Sequence, residues 1–182
     1  TSRNCLWFGT DAAFYRFDFA TEQLHSYSLE GGKNTAVTDV VISSSGNLML
    51  STLQRGIQSF DPETGGFSAV GGVIEPGLAP PDSRPCINLP SNDLAASRMT
   101  KDKQLLIFTF NGLALHGLQE QITTIFTTED GLGDNEFNTA SVFFNEKDGR
   151  WYAGGINGFV SFKVDDLKPE PSPYQPTLTA YR

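Results

Sequence analysis

Apolar residues in this chain come in short runs separated by Asn, Asp, Gly and Pro. The pattern is clearest in residues 134–162. Val142-Phe143-Phe144 and Trp151-Tyr152-Ala153 flank the polar stretch Asn145-Glu146-Lys147-Asp148-Gly149-Arg150, and Phe159-Val160-Ser161-Phe162 follows Gly154-Gly155-Ile156-Asn157-Gly158. Strand-length apolar runs joined by Asn/Asp/Gly turns predict an antiparallel meander.

The same layout recurs upstream. Residues 4–10 form an apolar run ending in Gly9-Thr10, Asp11-Ala12-Ala13 turns the chain, and residues 14–18 return. Residues 23–29 alternate as a more polar outer strand. In the next unit Met49 occupies the place of Trp7, and Phe60-Asp61 the place of Phe17-Asp18. Residues 93–99, 105–110, 113–116 and 122–127 make a third unit, and Tyr152 is aligned with Phe108 in the fourth. A period of roughly 40–50 residues with four strands per unit predicts a β-propeller. A blade exposes two apolar faces and buries them against its neighbours, which accounts for nearly continuous apolar second strands. The fold class expected is therefore all-β, a propeller fragment of about four blades, each a four-stranded antiparallel meander.

The first unit begins at its second strand and the last lacks a clear fourth. This predicts consecutive blades cut from a larger propeller, about seven-bladed, with a self-contained four-bladed ring as the alternative. Residues 1–168 are assigned to the blades. Residues 71–90, rich in Pro and Gly, interrupt the period as an insertion, either a plain surface loop or a partner-binding one. Residues 169–182 carry Pro169, Pro171 and Pro173 and read as an extended linker, followed from Pro176 by the first strand of another β domain. Thr1 is not a translation start and no leader is visible, so the chain is expected to be an excised piece.

Composition narrows the function. The 182 residues carry a net charge of −8 with no cluster of Lys or Arg, which opposes nucleic-acid binding. No apolar run approaches the roughly 20 residues that span a bilayer. Cys5 and Cys86 are either a disulfide or two small buried side chains.

Candidate chemistry is sparse. His25 and His116 lack metal-ligand partners at zinc-like spacing, so each is expected on a strand surface or between blades. Glu129, Asp130, Asp134 and Glu136 surround Gly131 and Gly133 but do not follow a calcium-loop pattern, so a solvated inter-blade turn is expected. Ser43-Ser44-Ser45-Gly46 lacks the Asp of sialidase repeats, and no carboxylate pair or Ser-nucleophile motif stands out. Gly154-Gly155-Ile156-Asn157-Gly158 is read as a turn, not a phosphate loop, because no helix follows. Trp7 and Trp151 could stack on sugars, but both fall in second strands, where inter-blade packing is expected. No catalytic, cofactor or metal residue is assigned, and ligand-binding residues are not identified.

Several of these motifs resemble those of the two-component regulator propeller family. They are Trp7-Phe8-Gly9-Thr10, Gly56-Ile57 with Phe60-Asp61-Pro62-Glu63-Thr64-Gly65, and Asn135-Glu136-Phe137-Asn138 followed by Asp148-Gly149 and Tyr152-Ala153-Gly154-Gly155-Ile156-Asn157-Gly158. Residues 176–182 resemble the opening strand of the triple-tyrosine Ig-like domain that follows such propellers. The departures are Ala13 in place of Gly, Ser51 in place of Gly, and Phe108-Thr109 in place of Gly-Thr. The resemblance implies a non-catalytic periplasmic sensor domain of a bacterial inner-membrane receptor. The output would be a histidine kinase/response regulator hybrid or a diguanylate cyclase, on a domain outside this sequence. It further implies an oligosaccharide or other small ligand, receptor self-association, membrane contact only through the parent chain, and no cofactor. The alternatives are a scaffold propeller that binds a protein partner and, third, a propeller glycosidase or lyase.

Overall fold

A computed structural model describes residues 4–29, 35–43, 46–73 and 87–167. These form four sheets in chain order. The first holds β1 (Cys5–Gly9), β2 (Phe14–Asp18) and β3 (Gln23–Tyr27). The second holds β4 (Val37–Ile42), β5 (Leu48–Thr52), β6 (Ile57–Phe60), β7 (Phe67–Gly72) and β8 (Ile87–Asn88). The third holds β9 (Leu94–Met99), β10 (Gln104–Thr109), β11 (Gly112–Gly117) and β12 (Thr123–Phe126). The fourth holds β13 (Phe137–Asn145), β14 (Arg150–Gly155) and β15 (Gly158–Phe162). Each is an antiparallel meander, with β8 added in parallel to the second, and the inner strands β4, β9 and β13 lie against one another. This is the expected propeller arrangement of radially stacked blades.

Three details correct the strand assignment. Among the described residues the sheets have three, five, four and three strands, so the first and last match the shortened units expected and only the second, with its fifth strand, departs. Thr109 pairs with Leu94 and Gly155 with Phe137, so the counterpart of Phe108 in blade four is Gly154, two positions beyond Tyr152. Periodicity alone hid this shift, because β13 carries a wider bulge (between Phe137 and Val142) than β4 or β9. The insertion is also narrower than expected. Gly71 and Gly72 finish β7, and Ile87 and Asn88 return as β8, parallel to them. Ile87 and Leu89 are buried in the core between blades two and three. Residues 74–86, including Cys86, lie outside the described residues, as do Ser44, Ser45 and residues 168–182 with the predicted linker and Ig-like strand.

The repeat motifs have local causes. Thr52 and Thr109 end the second strands of their blades, Thr10 directly follows its own, and each Oγ1 donates to a carbonyl across the next turn. The acceptors are Ala13 at 3.2 Å, Gly56 at 2.7 Å and Gly112 at 2.7 Å. Gly56 has φ +62°, and a Cβ there would fall 2.0 Å from the Gly71 carbonyl oxygen, so both conformation and space demand glycine. Ala13 is absent from the residues with positive φ, so blade one does not need glycine at the same place. The Asp at or just after the end of the third strand caps the following turn. Asp18 accepts from the amides of Ala20 (2.9 Å) and Thr21 (3.2 Å). Asp61 accepts from the Glu63 amide (2.8 Å) and Thr64 Oγ1 (2.9 Å).

The residue before each Thr faces the next blade. A Cβ on Gly9 would fall 2.4 Å from Val37 Cβ, so blade one touches blade two there by backbone approach. Ser51, at the same position in blade two, shares a 2.7 Å hydrogen bond with Ser97 of blade three. Phe108 meets Phe137 of blade four edge-on, with ring centroids 5.3 Å apart. Gly9 and its two replacements, Ser51 and Phe108, are thus three ways of making one junction.

Candidate functional site

Residues singled out in the sequence divide into packing and turn-capping roles. Trp151 is buried between blades three and four, its ring 4.8 Å from Phe144. Trp7 is half-buried, stacked on Phe14 at 5.3 Å and edge-on to Phe60 of blade two at 5.3 Å. Both are wedged between blades, as expected. His116 is buried on β11, its Nδ1 2.9 Å from Thr123 Oγ1, and burial lowers its pKa. His25 is exposed on β3.

The four carboxylates near Gly131 and Gly133 are not brought together as a metal site; among the described residues no group of three or more His, Cys, Asp or Glu could hold a metal ion. Asp130 Oδ2 accepts from the Thr127 amide (2.9 Å) and Oγ1 (3.2 Å). Asp134 Oδ2 accepts from the Asn157 amide (2.9 Å) and Nδ2 (3.1 Å), and Oδ1 from the Glu136 amide (3.2 Å). The hydrogen bond from the Asn157 backbone is the main reason that the Asp134 carboxyl titrates below the ordinary aspartate range. Asp134 thereby pins the turn Ile156–Asn157, which is shorter than predicted because Gly154 and Gly155 belong to β14.

The site that emerges lies elsewhere, at the opposite ends of the strands. A groove of about 420 Å³ separates the β9–β10 turn of blade three from the β13–β14 turn of blade four. Met99, Thr100, Lys101 and Asp102 form one wall, and Phe144, Glu146 and Asp148 the other. Trp151 lies at the floor, and Lys163, Val164 and Asp165 close the third side. This volume falls in the range of small-molecule sites, roughly 300–1,000 Å³. Lys101 Nζ lies 5.6 Å from the Phe144 ring centroid, a cation–π contact across the groove.

Asp148 is held in place by three donors. Its Oδ1 accepts from the Arg150 amide at 3.0 Å, and its Oδ2 from Asn145 Nδ2 at 2.8 Å and Tyr152 Oη at 3.0 Å. The groove thus combines a rigid aromatic floor with a rim of both charges. Only Trp151 hints at it in the sequence. The walls come from two turns about a blade apart, and no local motif marks their approach.

Nearer the axis, Asp39 of β4 pairs with Arg98 of β9 and accepts from the Ser97 amide at 2.9 Å. Thr38 Oγ1 reaches the Leu94 carbonyl at 2.8 Å and the Ser51 carbonyl at 3.1 Å. These bonds join blade two to blade three.

No protein-family model matches the chain, and no curated protein matches it in sequence. Solved structures share its fold. One is the extracellular domain of a protein described as a hybrid two-component system from B. thetaiotaomicron. It is 18% identical, with a TM-score of 0.68 over 91% of this chain and 22% of that one. Another is an auxiliary nutrient binding protein from Bacteroides thetaiotaomicron, 13% identical, with a TM-score of 0.59 over 92% of this chain and 37% of that one. A third is virginiamycin B lyase from Staphylococcus aureus, 12% identical, with a TM-score of 0.56 over 90% of this chain and 53% of that one. The chain spans less than a quarter of the first structure's length. At these identities the likeness shows the fold: this is a chain of propeller blades, similar to those of bacterial extracellular sensor and nutrient-binding proteins.

Proposed function

We propose that this chain is part of a larger propeller, of the two-component regulator type, that senses a ligand without transforming it. The parent would be a bacterial inner-membrane receptor with this region in the periplasm. Its output would come from a hybrid histidine kinase or a diguanylate cyclase domain elsewhere in the polypeptide. The observation that carries the reading is the inter-blade groove over Trp151, on a fold similar to the extracellular domain of a two-component system. Its aromatic floor and mixed-charge rim suit a neutral, hydroxyl-rich molecule such as a short oligosaccharide. A polyanion is disfavoured by the net charge of −8. Binding there would bias how blades three and four sit together, which is the mechanical signal available to a receptor.

A lyase reading has one specific support, the fold likeness to virginiamycin B lyase. Against it, the two histidines sit on β3 and β11, neither of them on the groove wall.

Titration of the Trp7→Phe variant with short oligosaccharides from starch, xylan and mannan tests the proposal, with Trp151 emission as the readout. Saturable change that disappears in Phe144→Ala is expected for one of them. New reducing ends, or no response to any, would overturn it.

A further inference from the structure

Asp148 is held over the groove by its own turn. Gly149, at φ +69°, closes the β13–β14 connection, and its amide donates to the Asn145 carbonyl at 2.9 Å. Asn145 then braces the turn from within. Its Oδ1 accepts from the Lys147 amide at 3.1 Å while its Nδ2 donates to Asp148 Oδ2. Tyr152 Oη reaches the same oxygen from β14, and the Arg150 amide donates to Oδ1. Asp102, Glu146 and Asp165 also line the groove, but among the described residues none of them receives a hydrogen bond that would fix it.

An ionised carboxylate can accept about four hydrogen bonds. Asp148 accepts two at Oδ2 and one at Oδ1, so Oδ1 keeps an acceptor site. Loss of solvent alone would raise the pKa of this carboxyl. The bonds from the Arg150 amide, Tyr152 and Asn145, together with the Arg150 charge, outweigh it, and the carboxyl titrates below the ordinary aspartate range. At neutral pH the group is therefore an anion that can accept a hydrogen bond and cannot donate one.

Phe144 and Trp151 supply the apolar surface beside it, their rings 4.8 Å apart and tilted by 41°. Such rings accept the C–H face of many sugars, so selection falls to the few polar groups with fixed positions. A carboxylate that is already immobile loses little further freedom when a ligand arrives. We propose that Asp148 is the residue by which the groove selects its ligand. Its remaining acceptor site on Oδ1 receives a hydrogen bond from one sugar hydroxyl, while Asn145 and Tyr152 position it. This rests on the groove being the ligand site and adds a requirement for one particular hydroxyl. A ligand that stacks equally well but lacks that donor is refused, because it covers the carboxylate without pairing with it.

Maltotriose, xylotriose and mannotriose, titrated into the Trp7→Phe chain with Trp151 emission as the readout, followed by monodeoxy analogues of whichever binds, test this. One analogue should bind at least about tenfold more weakly than the full trisaccharide. Asp148→Asn in the same background should weaken the full trisaccharide by a similar factor, yet bind that analogue within about twofold of the unsubstituted groove. Mere loosening of the turn would weaken both sugars alike. Tyr152→Phe, which keeps the carboxylate and removes one of its anchors, should fall between. A trisaccharide that Asp148→Asn binds as tightly as before, or deoxygenation that costs both proteins the same at every position, would overturn the role of Asp148 and leave the groove as the ligand site. No response to any of the three sugars would overturn both.

Discussion

The junction between blades two and three differs in kind from the two that flank it. Between blades one and two, Trp7, Phe14, Tyr27, Phe60 and Phe67 interlock with ring centroids 4.8–5.7 Å apart. Between blades three and four, Phe108 meets Phe137 at 5.3 Å and Phe162 at 6.3 Å, in one cluster with Phe126 and Trp151. The middle junction is aliphatic, built from Met49, Ile57, Ile87, Leu94, Leu105 and Ile107. It is also where Asp39–Arg98, Ser51–Ser97 and the Thr38 bonds cross. Interlocked rings have preferred geometries and fix how two sheets sit. Smooth aliphatic faces do not, and directional polar bonds take over the task of register. Area holds all three junctions together, but orientation is set by different means.

The largest expected effect breaks an aromatic junction. Phe60 is fully buried and touches four other rings, so Phe60→Ala should cost about 3–5 kcal/mol in urea unfolding. Ile107→Val in the middle junction should cost only about 0.5–1.5 kcal/mol.

The polar seam comes next. Arg98→Met leaves Asp39 without its cation, and because the Arg98 side chain is 33% exposed we expect a loss of about 1–2 kcal/mol. The loss should shrink in high salt and be absent in an Asp39→Asn background. Additive losses in that double-mutant cycle would contradict the assignment of register to this pair.

Smaller still are the turn hydroxyls. Thr52→Val and Thr109→Val should each cost about 1 kcal/mol, since both hydroxyls are buried with one carbonyl partner. Thr10→Val should cost about as much, because the half-buried Thr10 hydroxyl donates to the Ala13 carbonyl and accepts from the Ala12 and Ala13 amides.

The smallest effect is acid sensitivity. Asp18, Asp61 and Asp134 have lowered pKa values, chiefly from the backbone amides of Ala20, Glu63 and Asn157. Groups depressed in the folded state stabilise it fully above their unfolded pKa. That contribution should fade as pH drops from about 4 through the lower folded values. Thermal midpoints measured across this window should fall less in Asp18→Asn than in the parent.

Sequence pattern revealed the blades because each strand's alternation follows from which face it buries, and residues such as Leu50 and Ile107 sit where apolar runs placed them. It revealed the Thr and Asp turn positions because those act within a few residues of themselves. It could not place β8, whose two residues pair in parallel with glycines across the insertion. Nor could it align blade four, where the bulge in β13 shifts the register. The groove was the least legible feature. Lys101 and Phe144 meet only because two blades stack. No spacing along the chain encodes that distance.

Acrylamide quenching of single-tryptophan variants tests the stacking of blades most directly. With Trp7→Phe, Trp151 should be quenched several-fold more slowly in the native chain than in urea. With Trp151→Phe, half-buried Trp7 should show a smaller difference in the same direction. Equal quenching of Trp151 in the native and unfolded chains would mean that blades three and four do not close on it, and the account of the fold and of the groove above it would fail together.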